Sequence, residues 1–387
     1  MSNKPKKIVI LGGAGRVGMQ IAAELLRAGQ HTVLVDIVPQ AQFSQLAGRL
    51  LNDARLAVGT GVGRMTAVGD IDALDKPAVR TLLTREVPDL VINYAIPITW
   101  DATKRLTNYA RVSAAGLGAF TPIQVLAPLT VAQVIAEAGL PSRLMVGNLP
   151  DITIPVITGI ARSGAAAQPL CGAGNVGLNQ VAMRRQIAEE QQVDFESVEV
   201  ALVSHHVHWV APREPGYSNA APFLAQVKID GADVSEQLGD LRALMNRGVQ
   251  YQYEPGAAFS STTGILASRV ALALLDDSDV EHRLHTPAPN GLPGGYPVCI
   301  IGGQISVDLP DVWQLETAVA AMEDCQALDG VEKIGADGSV RFTDYAREIL
   351  REELQFELPE LMAPADIEEV ALAQIAALQQ LFRASGL

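Results

Sequence analysis

Cysteine is scarce in this chain: 387 residues hold three, Cys171, Cys299 and Cys325, far apart and without a CxxC pair. That usage excludes a disulfide framework and a closed structural zinc site, and it fits a reducing compartment. Positive charge is scarce too. The 29 Lys and Arg face 43 Asp and Glu, and the formal charge is -14, so a nucleic-acid backbone or an anionic membrane surface finds little to hold. No apolar run approaches the roughly 20 residues that span a bilayer without glycine, proline or charge interrupting it. The opening MSNKPKKIVILGG passes from a short basic stretch directly into a strand and a glycine turn, where an export signal needs a longer apolar run and a cleavage site. These absences lead to the expectation of a cytoplasmic protein whose partner is a small molecule, with no nucleic acid and no membrane.

What is present is apolar and periodic. With 48% hydrophobic residues, a chain of this length builds two cores more readily than one. KIVILG is a β-branched run ending in glycines, and RVGMQIAAELLRAG after it has helical spacing with a glycine stop. HTVLVDI, TAVGDI and DLVINYA read as three further buried strands, with helix-like stretches between the first and second and between the third and fourth of the four. A helix over VLAPLTVAQVIAEAG, a strand RLMVGN and a helix starting at LPDITIPVI follow. Strands alternating with helices imply a parallel sheet covered on both faces. The second half predicts helices near 178–191, 262–276 and 312–328, and strands over VEVALVS and near 223–229 and 298–308. The expected fold class is α/β. It comprises an N-terminal Rossmann doubly wound parallel sheet over 1–155, a C-terminal α+β substrate domain over 156–335, and a helical extension over 336–387.

Gly13-Ala14-Gly15-Arg16-Val17-Gly18 fits GxGxxG between a strand and a helix, where glycines permit a tight turn and helix N–H groups face a pyrophosphate. Asp36 ends the second strand, eighteen residues after Gly18, where a carboxylate accepts from ribose hydroxyls and repels a 2′-phosphate. The motif therefore predicts NAD as cofactor. Asp70, after the third strand, is either an adenine contact or a helix cap. Ala95 and Pro97, after the fourth, border the nicotinamide half.

Three of the six histidines lie in Val203-Ser204-His205-His206-Val207-His208-Trp209 at the end of an apolar strand. Histidine exchanges a proton near neutral pH, which hydride transfer to or from a carbinol requires. On a continuing strand, His206 and His208 would share one face and His205 the other.

On these residues the chain resembles the lactate/malate dehydrogenase superfamily, which includes the NAD- and metal-dependent family-4 glycoside hydrolases. The resemblance covers about residues 7–330. GGAGRVG and VLVDI resemble its nucleotide loop and second strand, and Ala95–Arg105 has the length of its substrate-covering loop. The resemblance implies Arg105 as the carbonyl-polarising arginine, Asn148 beside nicotinamide and substrate, and His206 as acid/base. It departs at two positions: Asn179 stands where the dehydrogenases orient the histidine with aspartate, and Ala182 where they anchor a substrate carboxylate with arginine. A simple lactate or malate then lacks its clamp unless Arg184 or Arg185 supplies one. The glycosidase branch implies a different chemistry, a divalent metal ion held by Cys171 and His206 with NAD used in a redox-neutral reaction. A protein that binds NAD without chemistry is the third alternative. Thr262 or Thr263, in Ser260–Gly264, either touches substrate or caps a helix, and Tyr296 is a spare acid or base in a structural segment. The superfamily also implies a homo-oligomer, dimer or tetramer.

Overall fold

The computed structural model describes residues 4–213, 220–252 and 257–386. Six short strands, β1 (Lys7–Leu11), β2 (His31–Val35), β3 (Met65–Val68), β4 (Leu90–Asn93), β5 (Arg143–Val146) and β6 (Cys171–Gly172), form one parallel sheet in the order β3-β2-β1-β4-β5-β6. Side chains alternate across it. Val9, Leu11, Val33, Val35, Val91 and Val146 enter one apolar cluster, and Ile8, Ile10, Leu34, Ile92, Met145 and Cys171 the other. Burial on both faces is why the strands read as unbroken apolar runs. Strand order reverses between β1 and β4, and the crevice beyond the carboxyl ends of such a pair is where ligands bind in open α/β sheets.

Helix Gln40–Val58 joins β2 to β3 and was absent from the sequence-based expectation. It fully buries only Phe43, Ala47 and Ala54, a stripe too thin to show as amphipathic spacing. Helix Thr121–Glu137 is the opposite case. The stretch Leu117–Glu137 is long and apolar enough in composition to cross a membrane, yet it is mostly buried in the protein. One side of the helix meets the sheet, and the other packs on helix Ile367–Ala384, so Val131, Ile349, Leu350, Ile367 and Leu378 share one core.

The remainder contains three small antiparallel sheets. β7 (Val198–Val203), β8 (Leu224–Ile229) and β9 (Ala232–Asp233) form the first, and β10 (His282–Pro287), β11 (Gly295–Ile301) and β12 (Gln304–Val307) the second. The expected strand at 298–308 is thus a hairpin, turned at Gly302 and Gly303, whose φ values are both positive. β13 (Val331–Ile334), β14 (Val340–Phe342) and β15 (Leu361–Met362) form the third, so residues 331–384 carry strands besides helices Asp344–Leu354 and Ile367–Ala384.

Candidate active site

The glycine loop is built as a cradle. Gly12 has φ +80, and a Cβ there would meet the backbone nitrogen of Ala95 at 2.7 Å; a Cβ on Gly18 would meet the carbonyl oxygen of Gly12 at 2.4 Å. The loop therefore presses against the end of β4 with no room for side chains. Helix Arg16–Arg27 begins at Gly15 without a side-chain cap and with no acidic residue in its first turn. Its first N–H groups lack intrahelical partners, and its positive end is not neutralised, which suits an anion. Oδ2 of Asp36 accepts from the Ala14 N–H at 2.9 Å and Oδ1 from the Val38 N–H at 3.3 Å, pinning the loop to the end of β2. Val17 packs toward the core, while Arg16 pairs with Asp101 of helix Trp100–Thr103. Asp70 takes the capping role, Oδ2 accepting from the Gln40 N–H at 3.1 Å at the start of helix Gln40–Val58. These residues fit a dinucleotide.

At the end of β7 the chain leaves the sheet. Ser204 makes a two-way bridge with Gly295 of β11, and Val207–Val210 is one helical turn. The strand alternation expected of His206 and His208 is thereby broken. The rings of His205 and His206 lie 4.2 Å apart instead, and His208 folds back. Its Nδ1 accepts from the His205 N–H at 3.0 Å and its Nε2–H donates to the Ala221 carbonyl at 3.1 Å.

His206 is 2% exposed and stands between two fully buried carboxylates. Its Nε2 is 2.8 Å from Oδ2 of Asp329, and its Nδ1 is 3.5 Å from Oδ2 of Asp151. Asp151 enters from the first turn of helix Pro150–Ala161 and accepts from Nδ2 of Asn175 at 2.6 Å. Asp329 follows helix Leu315–Leu328, and its Oδ1 accepts from the Leu117 N–H at 3.0 Å. Burial works against a charge on His206, but the facing carboxylates of Asp329 and Asp151 outweigh it and hold its pKa up at about 10. Burial also works against the Asp151 carboxylate, yet His206, His205 and Asn175 hold it below the usual range. Burial, reinforced by the charge on His206, keeps His205 well below its ordinary value, and burial lowers His208 to about 4 and His285 to about 3.

These shifts predict the pH dependence of stability. His205, His208 and His285, lowered on folding, contribute stability that is full above about 6.5 and is lost as pH falls toward 4 and 3. His206, raised on folding, contributes stability that is full below about 6.5 and is lost as pH rises toward 10. Urea midpoints measured from pH 4 to 10 are expected to peak near pH 6–7. A midpoint still rising at pH 9 would contradict the charged state of His206.

Several expected roles change. Asn179 does not orient His206; its Nδ2 donates to Oγ of Ser204 at 3.3 Å, and Asp151 and Asp329 flank the imidazole in its place. Asn148 ties strand ends together, its Nδ2 donating to the Ala95 carbonyl at 2.9 Å and its Oδ1 accepting from Asn93 at 2.8 Å. Pro97 lies in the half-buried segment that follows Ala95. Arg105 is exposed, and its side chain makes no hydrogen bond or ion pair with a described residue.

Neither candidate for the missing anchor is disposed to act. Arg184 donates to the carbonyls of Val198 and Phe195 and stacks on the Phe195 ring, and Arg185 pairs with Glu189. Cys171 and His206 do not fit a shared metal. The Cys171 thiol lies in the apolar cluster of the sheet, where burial pushes it up to about 12, so the thiolate ligand is not formed near neutral pH. Among the described residues the group with metal-compatible spacing is Asp151, His205 and His206, with donor atoms within 4.8 Å of one another. Thr263 is buried with its methyl against Gly174, Thr262 is half-buried beside it, and the hydroxyl of Tyr296 donates to the Pro293 carbonyl at 2.8 Å, which makes that tyrosine structural. A cavity of 1030 Å³ lined by Lys6, Asp89 and Arg283 opens where β1 and β4 begin, at the opposite edge of the sheet from the glycine loop.

No family profile and no curated protein matches the sequence. Solved structures do match. The lactate dehydrogenase of Eimeria maxima, with NADH and oxamate, superposes with a TM-score of 0.56 at 18% identity, covering 85% of this chain and 96% of that one. The malate dehydrogenase of Picrophilus torridus, in its apo form, gives 0.56 at 16% identity over 84% and 95% of the two chains. The lactate dehydrogenase of Cryptosporidium parvum, complexed with lactic acid and nicotinamide adenine dinucleotide, gives 0.52 at 16% identity over 84% and 96%. The chain has the lactate and malate dehydrogenase fold over most of its length, a Rossmann sheet followed by small antiparallel sheets.

Proposed function

We propose that the protein is an NAD-dependent oxidoreductase acting on a secondary hydroxyl, or the corresponding ketone, of a small molecule, and that it works in the cytoplasm as a homo-oligomer. The observation that carries this reading is a buried histidine held in its charged form by two carboxylates, in a chain whose glycine loop fits a dinucleotide. The backbone of Gly13–Gly18 would hold the pyrophosphate and Asp36 the adenosine ribose. Bound NAD supplies the hydride acceptor, and NADH the donor. His206 holds the proton that the substrate oxygen needs on reduction and takes it back on oxidation. His205, neutral beside it, offers a hydrogen bond without adding charge.

The acidic surroundings and the missing carboxylate anchor favour a neutral or cationic hydroxy compound over lactate or malate. A bidentate arginine is what makes a carboxylate substrate bind, and Ala182 cannot replace it. The test is a panel of hydroxy compounds and ketones of differing charge, with NADH followed at 340 nm. Stoichiometric consumption of NADH is expected with a ketone that lacks a carboxylate. Product without net NADH turnover would reject net oxidoreduction in favour of the redox-neutral class.

Asp36 gives a cofactor test that needs no substrate. Asp36→Ser removes a charged acceptor worth about 1.5–3 kcal/mol, so calorimetry is expected to show NAD affinity falling roughly 10- to 100-fold. NADP affinity should rise at the same time, because the repulsion of its phosphate is gone. Equal losses for both cofactors would argue that Asp36 only pins the glycine loop.

A further inference from the structure

His206 presents two nitrogens, neither with a hydrogen bond of full geometry, and they stand at different distances from their carboxylates. Nε2 is in close contact with Asp329 at 2.8 Å, whereas Nδ1 is 3.5 Å from Asp151, beyond ordinary hydrogen-bond length. Oδ1 of Asp151 and Nε2 of His205 are also buried without a hydrogen-bond partner, and one donor atom each of Asp151, His205 and His206 lies within 4.8 Å of the others. Buried polar groups are rarely left so, since each costs the desolvation it is not repaid for. One oxygen atom placed among Nδ1 of His206, Nε2 of His205 and Oδ1 of Asp151 would engage all three if it carries or receives a proton, as a hydroxyl or a carbonyl being reduced does.

We propose that Asp329 is a positioning residue that fixes Nε2 of His206, so that Nδ1, on the side of Asp151 and His205, is the nitrogen that exchanges a proton with the substrate oxygen. The assignment rests on the oxidoreductase reading above and deepens it. On reduction the carbonyl carbon takes the hydride supplied by NADH, and the electron pair of the C=O π bond moves to oxygen. That oxygen takes the proton from Nδ1, the N–H electron pair stays on the ring, and His206 is left neutral between two carboxylates that favour its reprotonation. Oxidation runs the same steps backwards.

Asp329 is placed for this by its surroundings. A Cβ on Gly118 would meet its Oδ2 at 2.9 Å, and one on Gly116 its carbonyl oxygen at 2.2 Å, so two glycines make the room it occupies. Among the described residues, the charged and titratable groups around His206 are Asp151 from helix Pro150–Ala161, Asp329 after helix Leu315–Leu328, and His205 and His208 from its own segment, with Cys325 and Tyr296 close enough to feel the charge of Asp151.

The experiment is nitrogen-15 NMR of the histidine rings in the full-length protein without cofactor, titrated from pH 6 to 10, for the wild type and for Asp329→Asn and Asp329→Glu. The wild type is expected to show His206 with both nitrogens protonated at pH 9. In Asp329→Asn that signal should titrate lower by about 1–3 pH units, because an opposite charge at contact distance is gone, and Asp329→Glu should restore most of the shift. In turnover, Asp329→Asn is expected to lower kcat and move its pH profile by the same amount while NAD affinity stays unchanged.

An unchanged His206 titration in Asp329→Asn would overturn the proposal, as would a wild-type His206 that is neutral at pH 7, a reading that does not require the variant to fold. Saturation of Nδ1 by one equivalent of Zn²⁺ would also overturn it, in favour of a metal at Asp151, His205 and His206. The expected titration shift with no turnover of any ketone would reject the enzyme reading while leaving Asp329 as the group that holds the charge on His206.

Discussion

His206→Ala is expected to lower kcat by about 10²- to 10⁴-fold, the usual contribution of a positioned acid/base, and to leave NAD affinity within experimental error. The separation follows from placement. The cofactor cradle is made of Gly12–Gly18 and Asp36 at the ends of β1 and β2, whereas His206 comes from the segment after β7 and touches Asp151 and Asp329. The same substitution removes the one cation between two fully buried carboxylates, and leaving buried charge without its partner costs on the order of 3–5 kcal/mol. One of the two carboxylates should then take up a proton, so the variant is expected to lose less stability than the wild type as pH falls below neutral. His206→Gln, which keeps a hydrogen-bond donor but no charge, should fold better and turn over as poorly. Turnover by His206→Gln near the wild-type rate would exclude proton transfer at this residue. Steady-state kinetics, calorimetry of NAD binding and urea titration at pH 5.5 and 8 separate these effects.

The sheet was legible in the sequence because its strands are buried on both faces, and a run such as KIVIL cannot be mistaken for an amphipathic helix of the same length. Helix Gln40–Val58 was not legible, because three buried side chains in nineteen residues leave no stripe to read. The cofactor loop was legible through its glycines, which are fixed by close backbone approach, a requirement local in sequence. His206 was legible as a residue but not as a geometry. The bridge of Ser204 to Gly295 ends the strand one residue before the histidine pair, and its partner lies 91 residues further along the chain.

Asp151 carries no role in the sequence reading, and the resemblance gives the orienting role to Asn179. The structure moves that role to carboxylates on other elements. Asp329 carried no local signal at all. An aspartate before a glycine at the end of a helix is common punctuation, and only the seating of Asp329 on Gly116–Gly118, more than two hundred residues earlier in the chain, brings it beside His206.

Gly18→Val is expected to abolish dinucleotide binding while leaving the sheet in place. Even the first carbon of the new side chain would stand 2.4 Å from the Gly12 carbonyl oxygen and 3.0 Å from the Gly13 Cα, both backbone atoms that cannot rotate away. The helix must therefore slide from the loop, which costs about 1–3 kcal/mol in overpacking. The displacement also takes the first-turn N–H groups out of reach of the pyrophosphate. Hydrogen bonds to a charged group are worth about 1.5–3 kcal/mol each, so losing two weakens NAD by more than roughly 100-fold. Gly48→Ala is the control, since it sits on the exposed face of helix Gln40–Val58 with nothing within 4 Å of the added carbon. It should raise stability by about 0.5–1 kcal/mol through the entropy of the unfolded chain and leave NAD affinity alone. If Gly18→Val still bound NAD normally in calorimetry, the dinucleotide would have to lie somewhere other than this loop, and the role given to Asp36 would fall with it.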